Sequence, residues 1–262
     1  MKFCISNLAW NHNEESKILN LIKDKIKFLE YSPSLLVKDF QSKKNILKIK
    51  KIWKKRNISL YSMQSILYNT KNTYIYGNKL QRKNFYNEVK KKIILAKNLD
   101  TKVIVFGSPK NKKTFGKKKV ILDKLSLEMF RKIALVSKRN KIIFCVEANP
   151  QIYNTKYLTH TIDAINLAKK INNPFFKVNL DLGTIISNNE NIDFLLGNYL
   201  NYFGHVQISS PYLTNLLRYK KFIKIFIKKL KEYKYKKNVS IETLRKKKNN
   251  LNYINNVIKI LF

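Results

Sequence analysis

The sequence predicts an α/β fold, a closed (β/α)₈ barrel, on three observations. Short apolar runs alternate with segments of helical period eight times along the chain. No break in composition divides the 262 residues, a length near the roughly 250 typical of one such barrel. Polar residues gather where the apolar runs end, the end of a barrel strand at which active sites are built. An open doubly wound sheet would show a glycine-rich phosphate turn after the first strand; the turn here reads SNLAWNH. One domain over residues 1–262 is therefore expected.

The elements follow in order. Met1–Ala9 reads as the first strand, and Glu14–Ile26, apolar at 18, 19, 21, 22 and 26, as the first helix. Phe28–Tyr31 is a short second strand closed by Ser32-Pro33, and Asp39–Arg56 a long basic helix. Ile58–Gln64 is the third strand, followed by a Tyr/Asn-rich loop to Tyr76-Gly77 and a helix at Asn84–Asn98. Lys102–Phe106 is the fourth strand, ending at Gly107-Ser108-Pro109 and a basic loop, Lys110–Lys119. Ser126 and Glu128 suit the start of a helix at Ser126–Arg139. The fifth strand lies within Lys141–Pro150, where an unbroken apolar run, Ile142–Val146, reaches Glu147 and stops at Asn149-Pro150. Such a run fits a strand covered on both faces. Then come a helix at Thr159–Ile171, a strand at Phe176–Asp181, a helix at Asn191–Tyr199 and a strand at Phe203–Ile208. Tyr219–Tyr233 is an amphipathic helix, Val239–Glu242 the eighth strand and Leu251–Leu261 the closing helix.

Composition narrows the function. The net charge of +38 suggests at first a nucleic-acid binder. Lys, Asn, Ile, Tyr and Phe are plentiful together, however, as codons rich in A and T would make them. The lysine runs, such as Lys48–Arg56 and Lys228–Lys237, interleave with apolar residues at helical spacing. That is the pattern of solvated outer faces, so nucleic acid is not the expected partner. Long-range attraction of anionic small molecules follows from the charge in either case. Cys4 and Cys145 lie inside apolar runs without metal or disulfide spacing, so buried free thiols in a reducing compartment are expected. The first residues lack a signal-peptide pattern, and no apolar stretch is long enough to span a membrane. A cytoplasmic protein without a membrane partner is expected, with oligomerisation left open.

The chemistry is expected at four strand ends. Glu147, Asp181, Gln207 and Glu242 close the fifth to eighth strand runs, so a barrel would bring them to one arc of its mouth. Three carboxylates and an amide oxygen form an all-oxygen donor set, which suits Mg²⁺ or Mn²⁺. A metal held there would polarise a carbonyl and stabilise an enediolate. Glu147 and Glu242 could then move protons at carbon as general base and acid. Asn7, Glu30 and Gln64, at the ends of the first three strands, and Asn149, just past Glu147, are candidate polar contacts for the substrate. Lys110, in the loop after the fourth strand, is a candidate for binding a phosphate or carboxylate. Trp10, Tyr68 and Tyr153 are candidate walls of the mouth.

A set of phrases runs through the chain: KFCISNLAW at the start, FLEYSPS at the second strand, MQSILYNT and YIYG within Met63–Gly77, and VIVFGSPKNKK at 103–113. CVEANPQIY (145–153), VNLDLG (178–183), GHVQISSPYL (204–213) and VSIETLR (239–245) continue it. In order and spacing the sequence resembles the sugar phosphate isomerase/epimerase family of xylose isomerase-like TIM barrels. The resemblance implies a divalent metal held by Glu, Asp, His and Glu at the ends of strands five to eight. On this chain those positions are Glu147, Asp181, Gln207 and Glu242, and Gln207 stands where the second His of an HxH phrase usually ligates. The retained His205 lies on the same strand face, expected beneath the metal or at the substrate. Ketohexose 3-epimerases of this superfamily carry a carboxylate, a His and an Arg where this chain has Tyr153, Thr184 and Leu213. The chain therefore does not resemble a free-ketohexose epimerase of that type.

The expected function is a metal-dependent isomerase or epimerase of a sugar or sugar phosphate. A barrel that only binds a sugar or partner is the alternative raised by Gln207 and by Ser210, which replaces the Glu of an SEP phrase. A nuclease related to the endonucleases that cut at abasic sites would need a His-rich three-metal cluster, and the chain has only His12, His160 and His205.

Overall fold

The computed structural model describes residues 1–37 and 42–262. Eight parallel strands close into a barrel in sequence order: β1 (Phe3–Ser6), β2 (Phe28–Tyr31), β3 (Ser59–Met63), β4 (Val103–Phe106), β5 (Ile143–Glu147), β6 (Phe176–Asp181), β7 (Phe203–Ile208) and β8 (Val239–Ile241). The ring is completed by β1 on β8, with Cys4 opposite Ser240. Glu242 lies just past β8, yet its N–H still donates to the Ile208 carbonyl at 3.0 Å, which holds it at the rim.

Helices form the outer ring, and most of their lysines face solvent as the spacing predicts, although Lys92 in the helix Lys79–Asn98 is buried. In the helix Lys220–Glu232, Ile223, Phe226, Ile227 and Leu230 are buried while Lys220, Lys221, Lys224 and Lys228 are exposed. Each such buried side chain contributes about 1.5–3 kcal/mol. The basic helix expected over Asp39–Arg56 runs from Lys43 to Lys55, capped by Ser42; positions 39–41 lie outside the described residues. Two helices begin earlier than their periodicity suggests. Lys79–Asn98 starts at a reciprocal cap between Asn78 and Gln81. Lys119–Asn140 starts inside the lysine-rich segment and places Ser126 in its buried interior, bonded to the Tyr76 hydroxyl at 2.9 Å. A further helix, Leu182–Asn188, follows β6 directly with Asp181 as its N-cap.

Between β4–β6 and the helices, Phe106, Phe130, Phe144 and Phe176 pack ring against ring, with Phe144 and Phe176 stacked at 6.0 Å. Cys4 and Cys145 are free and buried. Among the described residues no helix is long and apolar enough to cross a membrane.

Candidate active site at the barrel mouth

Strand register decides which side chains meet. Glu147, the last residue of β5, pairs with Asn179 of β6, and Asp181 pairs with Gln207 of β7. Parallel partners on one face point the same way, so these polar groups crowd together at the mouth. Asn179 Nδ2 donates to Glu147 Oε2 at 2.8 Å and to Gln207 Oε1 at 2.5 Å. Gln207 Nε2 in turn donates to Glu30 Oε1 at 2.8 Å. Glu147 at one end and Glu30 at the other accept from the amide nitrogens, and the Gln207 oxygen faces Asn179, which fixes the orientation of both amides.

Glu30 and His205 lie beneath the opening with no exposed surface. The Glu30 Oε2 atom meets His205 Nε2 at 2.9 Å and accepts from Ser62 Oγ at 2.9 Å, while Ser240 Oγ lies 3.0 Å from the same imidazole nitrogen. His205 Nδ1 has no hydrogen-bond partner among the described residues. Asn7, a candidate substrate contact, accepts through Oδ1 from the Ser32 N–H at 2.9 Å and holds the β2 end instead of facing the cavity.

Glu147, Gln207 and Glu242 line one cavity of about 210 Å³, together with Gln64, Tyr68 and Pro109. Gly107 makes room for it: a methyl group on that residue would overlap the Glu147 carboxylate. Asn149 Nδ2 donates to Glu147 Oε1 at 3.2 Å, and Asn149 Oδ1 is buried without a partner. Gln64 donates to Ser6 Oγ at 2.9 Å. Asp181 is held from three sides, by Ser209 Oγ at 2.5 Å, the Thr184 N–H at 2.8 Å and Thr184 Oγ1 at 3.1 Å. Glu242 makes no side-chain hydrogen bond among the described residues.

These carboxyls lie close enough to repel one another. Burial first, and then the Asp181 charge, push Glu147 up to about 8. Burial, then Glu147, Glu30 and Asp181, hold Glu242 well above the usual carboxylate range. Burial likewise raises Asp181, against its hydrogen bonds to Ser209 and Thr184. A lysine of the loop after β4 backs this cluster, as expected of that loop, but it is Lys112 and not Lys110. Lys112 is 1% exposed, and its Nζ donates to the Glu147 carbonyl at 2.7 Å. Burial pulls its ammonium down to about 7. Lys110, the lysine singled out in the sequence, is exposed at the edge of a neighbouring basin.

The sequence-predicted residues thus divide. Glu147, Gln207, Glu242 and Gln64 share the cavity, Asn149 braces Glu147, and Asp181 caps a helix beside it. Glu30 and His205 support Gln207 from below. Asn179, Ser62 and Ser240 were missed, although each is a polar residue in an otherwise apolar strand run, spaced two from another inward polar residue. Nothing in the lysine-rich loop marks Lys112 apart from its neighbours. Among the described residues, no group of three or more His, Cys, Asp or Glu side chains is gathered as a metal ion would require.

The fold is shared with several solved structures. D-psicose 3-epimerase from Clostridium cellulolyticum H10, crystallised with D-tagatose, superposes with a TM-score of 0.80 at 16% identity, covering 100% of this chain and 98% of the other. The 3-keto-D-glucoside 4-epimerase of E. coli gives 0.79 at 15% identity, covering 100% and 98%. The protein IolI, whose structure holds a zinc atom, gives 0.71 at 15%, covering 100% and 98%. At these identities the likeness is one of fold. No curated protein matches the sequence significantly. The family described as xylose isomerase-like TIM barrel matches residues 25–259, nearly the whole barrel, and this chain belongs to that family.

Proposed function

We propose that the protein is a sugar isomerase or epimerase that moves a proton at a carbon beside a carbonyl, with Glu147 and Glu242 as the two proton-transfer groups. The observation that carries this reading is the cavity of about 210 Å³ onto which both carboxyls open. The raised proton affinity of Glu147, at about 8, supports it, because a group that acts as both acid and base works best with a pKa near the working pH; burial and its carboxylate neighbours raise Glu242 in the same direction. Fold neighbours named as sugar epimerases support the substrate class.

Whichever carboxylate is ionised takes the proton from the carbon. The C–H electron pair moves into a C=C bond as the carbonyl π electrons pass to oxygen, giving an enediolate. For isomerisation the hydroxyl proton on the carbon that lost its hydrogen then passes to that oxygen, so the carbonyl re-forms on that carbon. The second carboxyl returns a proton to the neighbouring carbon for isomerisation, or to the opposite face of the same carbon for epimerisation. Asn149 and Asn179 hold Glu147 in place through their hydrogen bonds. The unpartnered Asn149 Oδ1 can accept from a sugar hydroxyl. Gln64, at the cavity wall, can do so through its own amide.

The oxygen donors are of the kind Mg²⁺ and Mn²⁺ prefer. As arranged, however, Asp181 is engaged by Ser209 and Thr184, and Gln207 Oε1 by Asn179, so the set does not fit an ion and no step above runs through one. An ion would have to displace those hydrogen bonds.

The test is hydrogen exchange in D₂O, read by NMR across a panel of ketoses and their phosphates, before and after chelation. Exchange at one carbon of at least one compound, unchanged by chelation, is expected. No exchange on any of them would favour a barrel that only binds. Thermal stabilisation by Mn²⁺ that disappears in Asp181→Asn would show that the donors do rearrange around an ion.

A further inference from the structure

Next to the catalytic cavity, and sharing Pro109 with it, lies a basin of about 600 Å³ lined by Lys110, Lys112, Lys113 and Lys156. Aromatic rings, Tyr74, Phe115 and Tyr153, form its walls, and no carboxylate lines it. None of these four lysines is in an ion pair among the described residues. A second lysine-rich cavity, lined by Lys117, Lys119, Lys156 and Lys170, differs in also holding Asp123 and Asp163, with Lys119 paired to Asp123 at 2.8 Å. Of these two cavities, which share Lys156, the basin at the mouth is the one without an acidic residue in its lining.

The loop that displays these lysines is fixed in place. Asn111 and Lys112 are 4% and 1% exposed. Asn111 Nδ2 donates to the Thr73 carbonyl at 2.5 Å and to Thr73 Oγ1 at 2.9 Å, and the Ile75 N–H donates to the Asn111 carbonyl at 3.0 Å. Lys112 uses one of its three N–H donors on the Glu147 carbonyl, with no second hydrogen-bond partner among the described residues. The basin adjoins the cavity that holds the carboxylates through Pro109, which lines both, and through Lys112, which lines the basin and bonds the Glu147 backbone. Tyr153, on its wall, accepts at its hydroxyl from the Tyr212 N–H at 2.8 Å. Burial and the charges of Asp181, Glu147 and Glu242 together push that hydroxyl up to about 12.

We propose that this basin is an oxyanion subsite, which binds a phosphate or carboxylate at the far end of the substrate while its reacting carbon sits between Glu147 and Glu242. The substrate is then a sugar phosphate or a sugar acid and not a free sugar. Lysines held on a rigid frame beside a partly desolvated cavity attract such groups strongly. The inference of substrate class rests on the proton-transfer reading above; the subsite itself can be probed without it.

The experiment titrates inorganic phosphate, and separately acetate, into the whole protein and follows binding by calorimetry. It compares wild type, Lys110→Glu/Lys113→Glu, and the control Lys221→Glu/Lys224→Glu, which makes the same charge change on an exposed outer helix. All four positions are exposed, so each variant is expected to fold. At least one anion should bind wild type and control alike and bind the Lys110/Lys113 variant at least tenfold more weakly; the stronger of the two anions identifies the group. Equal binding by both variants, or no binding of either anion to wild type, overturns the subsite. Anion binding that maps to the basin without hydrogen exchange on any sugar compound would leave the subsite standing and remove the proton-transfer reading instead.

Discussion

The two ends of the barrel are made from the same strands and treat charge in opposite ways. At the amino-terminal end, Val103, Val105 and Cys145 pack with Tyr61 and Ile143 into a small apolar cluster. The cations there are matched to backbone carbonyls: Lys177 donates to that of Asn201 at 2.9 Å and Lys237 to that of Phe203 at 2.7 Å. At the carboxy-terminal end, Glu30, Glu147, Asp181 and Glu242 are close enough for each of the rim carboxyls to feel others of the set. Glu242, half-buried, makes no side-chain hydrogen bond among the described residues. Buried carboxylates without a partner oppose folding, whereas apolar packing and satisfied donors favour it. The difference teaches that the closed end holds the barrel together, while the mouth gathers the charge that the proposed chemistry would use.

That contrast can be broken from either side. The largest effect is expected in the packed layer behind the strands. Phe144→Ala removes a fully buried ring stacked on Phe176 and should lower stability by about 3–5 kcal/mol, a large part of a typical total of about 5–15 kcal/mol. Urea unfolding measures it, and a change below about 1 kcal/mol would mean that this layer carries little of the fold. Next comes Gly107→Ala, whose methyl group must move the Glu147 carboxylate. Turnover should fall about 100-fold, as for other displacements near 1 Å, while the unfolding midpoint changes little. Unchanged turnover would show that the position of Glu147 is not critical.

The third expectation concerns pH. The native state holds the Glu147 proton more tightly than the unfolded chain does, with the carboxyl raised from its ordinary 4.5 to about 8. Its contribution to stability is therefore fully present below about pH 4.5 and lost as pH rises through about 8. A plot of unfolding free energy against pH should fall across that window for wild type and less steeply in Glu147→Gln, where Glu242 and Asp181 remain raised. Identical slopes would mean that Glu147 is not buried as the structure has it. Smallest is Lys132→Ala, which removes an exposed pair with Glu128 and should cost no more than about 0.5 kcal/mol. A larger loss would mean that surface pairs matter more to this lysine-rich shell than packing does.

Most of the frame was legible. Phe28–Tyr31, Phe176–Asp181 and Phe203–Ile208 have the bounds that their apolar runs give, because strands covered on both faces leave a continuous signal. Helix starts were harder. The cap at Asn78 lies outside the apolar period, and the first turn of Lys119–Asn140 is written in the same lysines as the loop before it. Leu182–Asn188 is too short to show a period at all. At the site, carboxylates at strand ends were visible as breaks in hydrophobicity. Their partners were not, because the Asn179–Gln207 and Gln207–Glu30 bonds depend on inter-strand register and barrel closure. The choice of Lys112 over Lys110 for the interior is likewise made by the turn that Asn111 pins.

The most direct test of the contrast is Glu242→Gln, followed at once by hydrogen exchange in D₂O and by thermal unfolding. Exchange should fall by about 10²–10⁴-fold, the usual contribution of a positioned acid or base, while the unfolding temperature stays level or rises because an uncompensated carboxyl has been removed. Exchange that persists at the wild-type rate, or a loss of activity matched by a fall in unfolding temperature, would contradict the account.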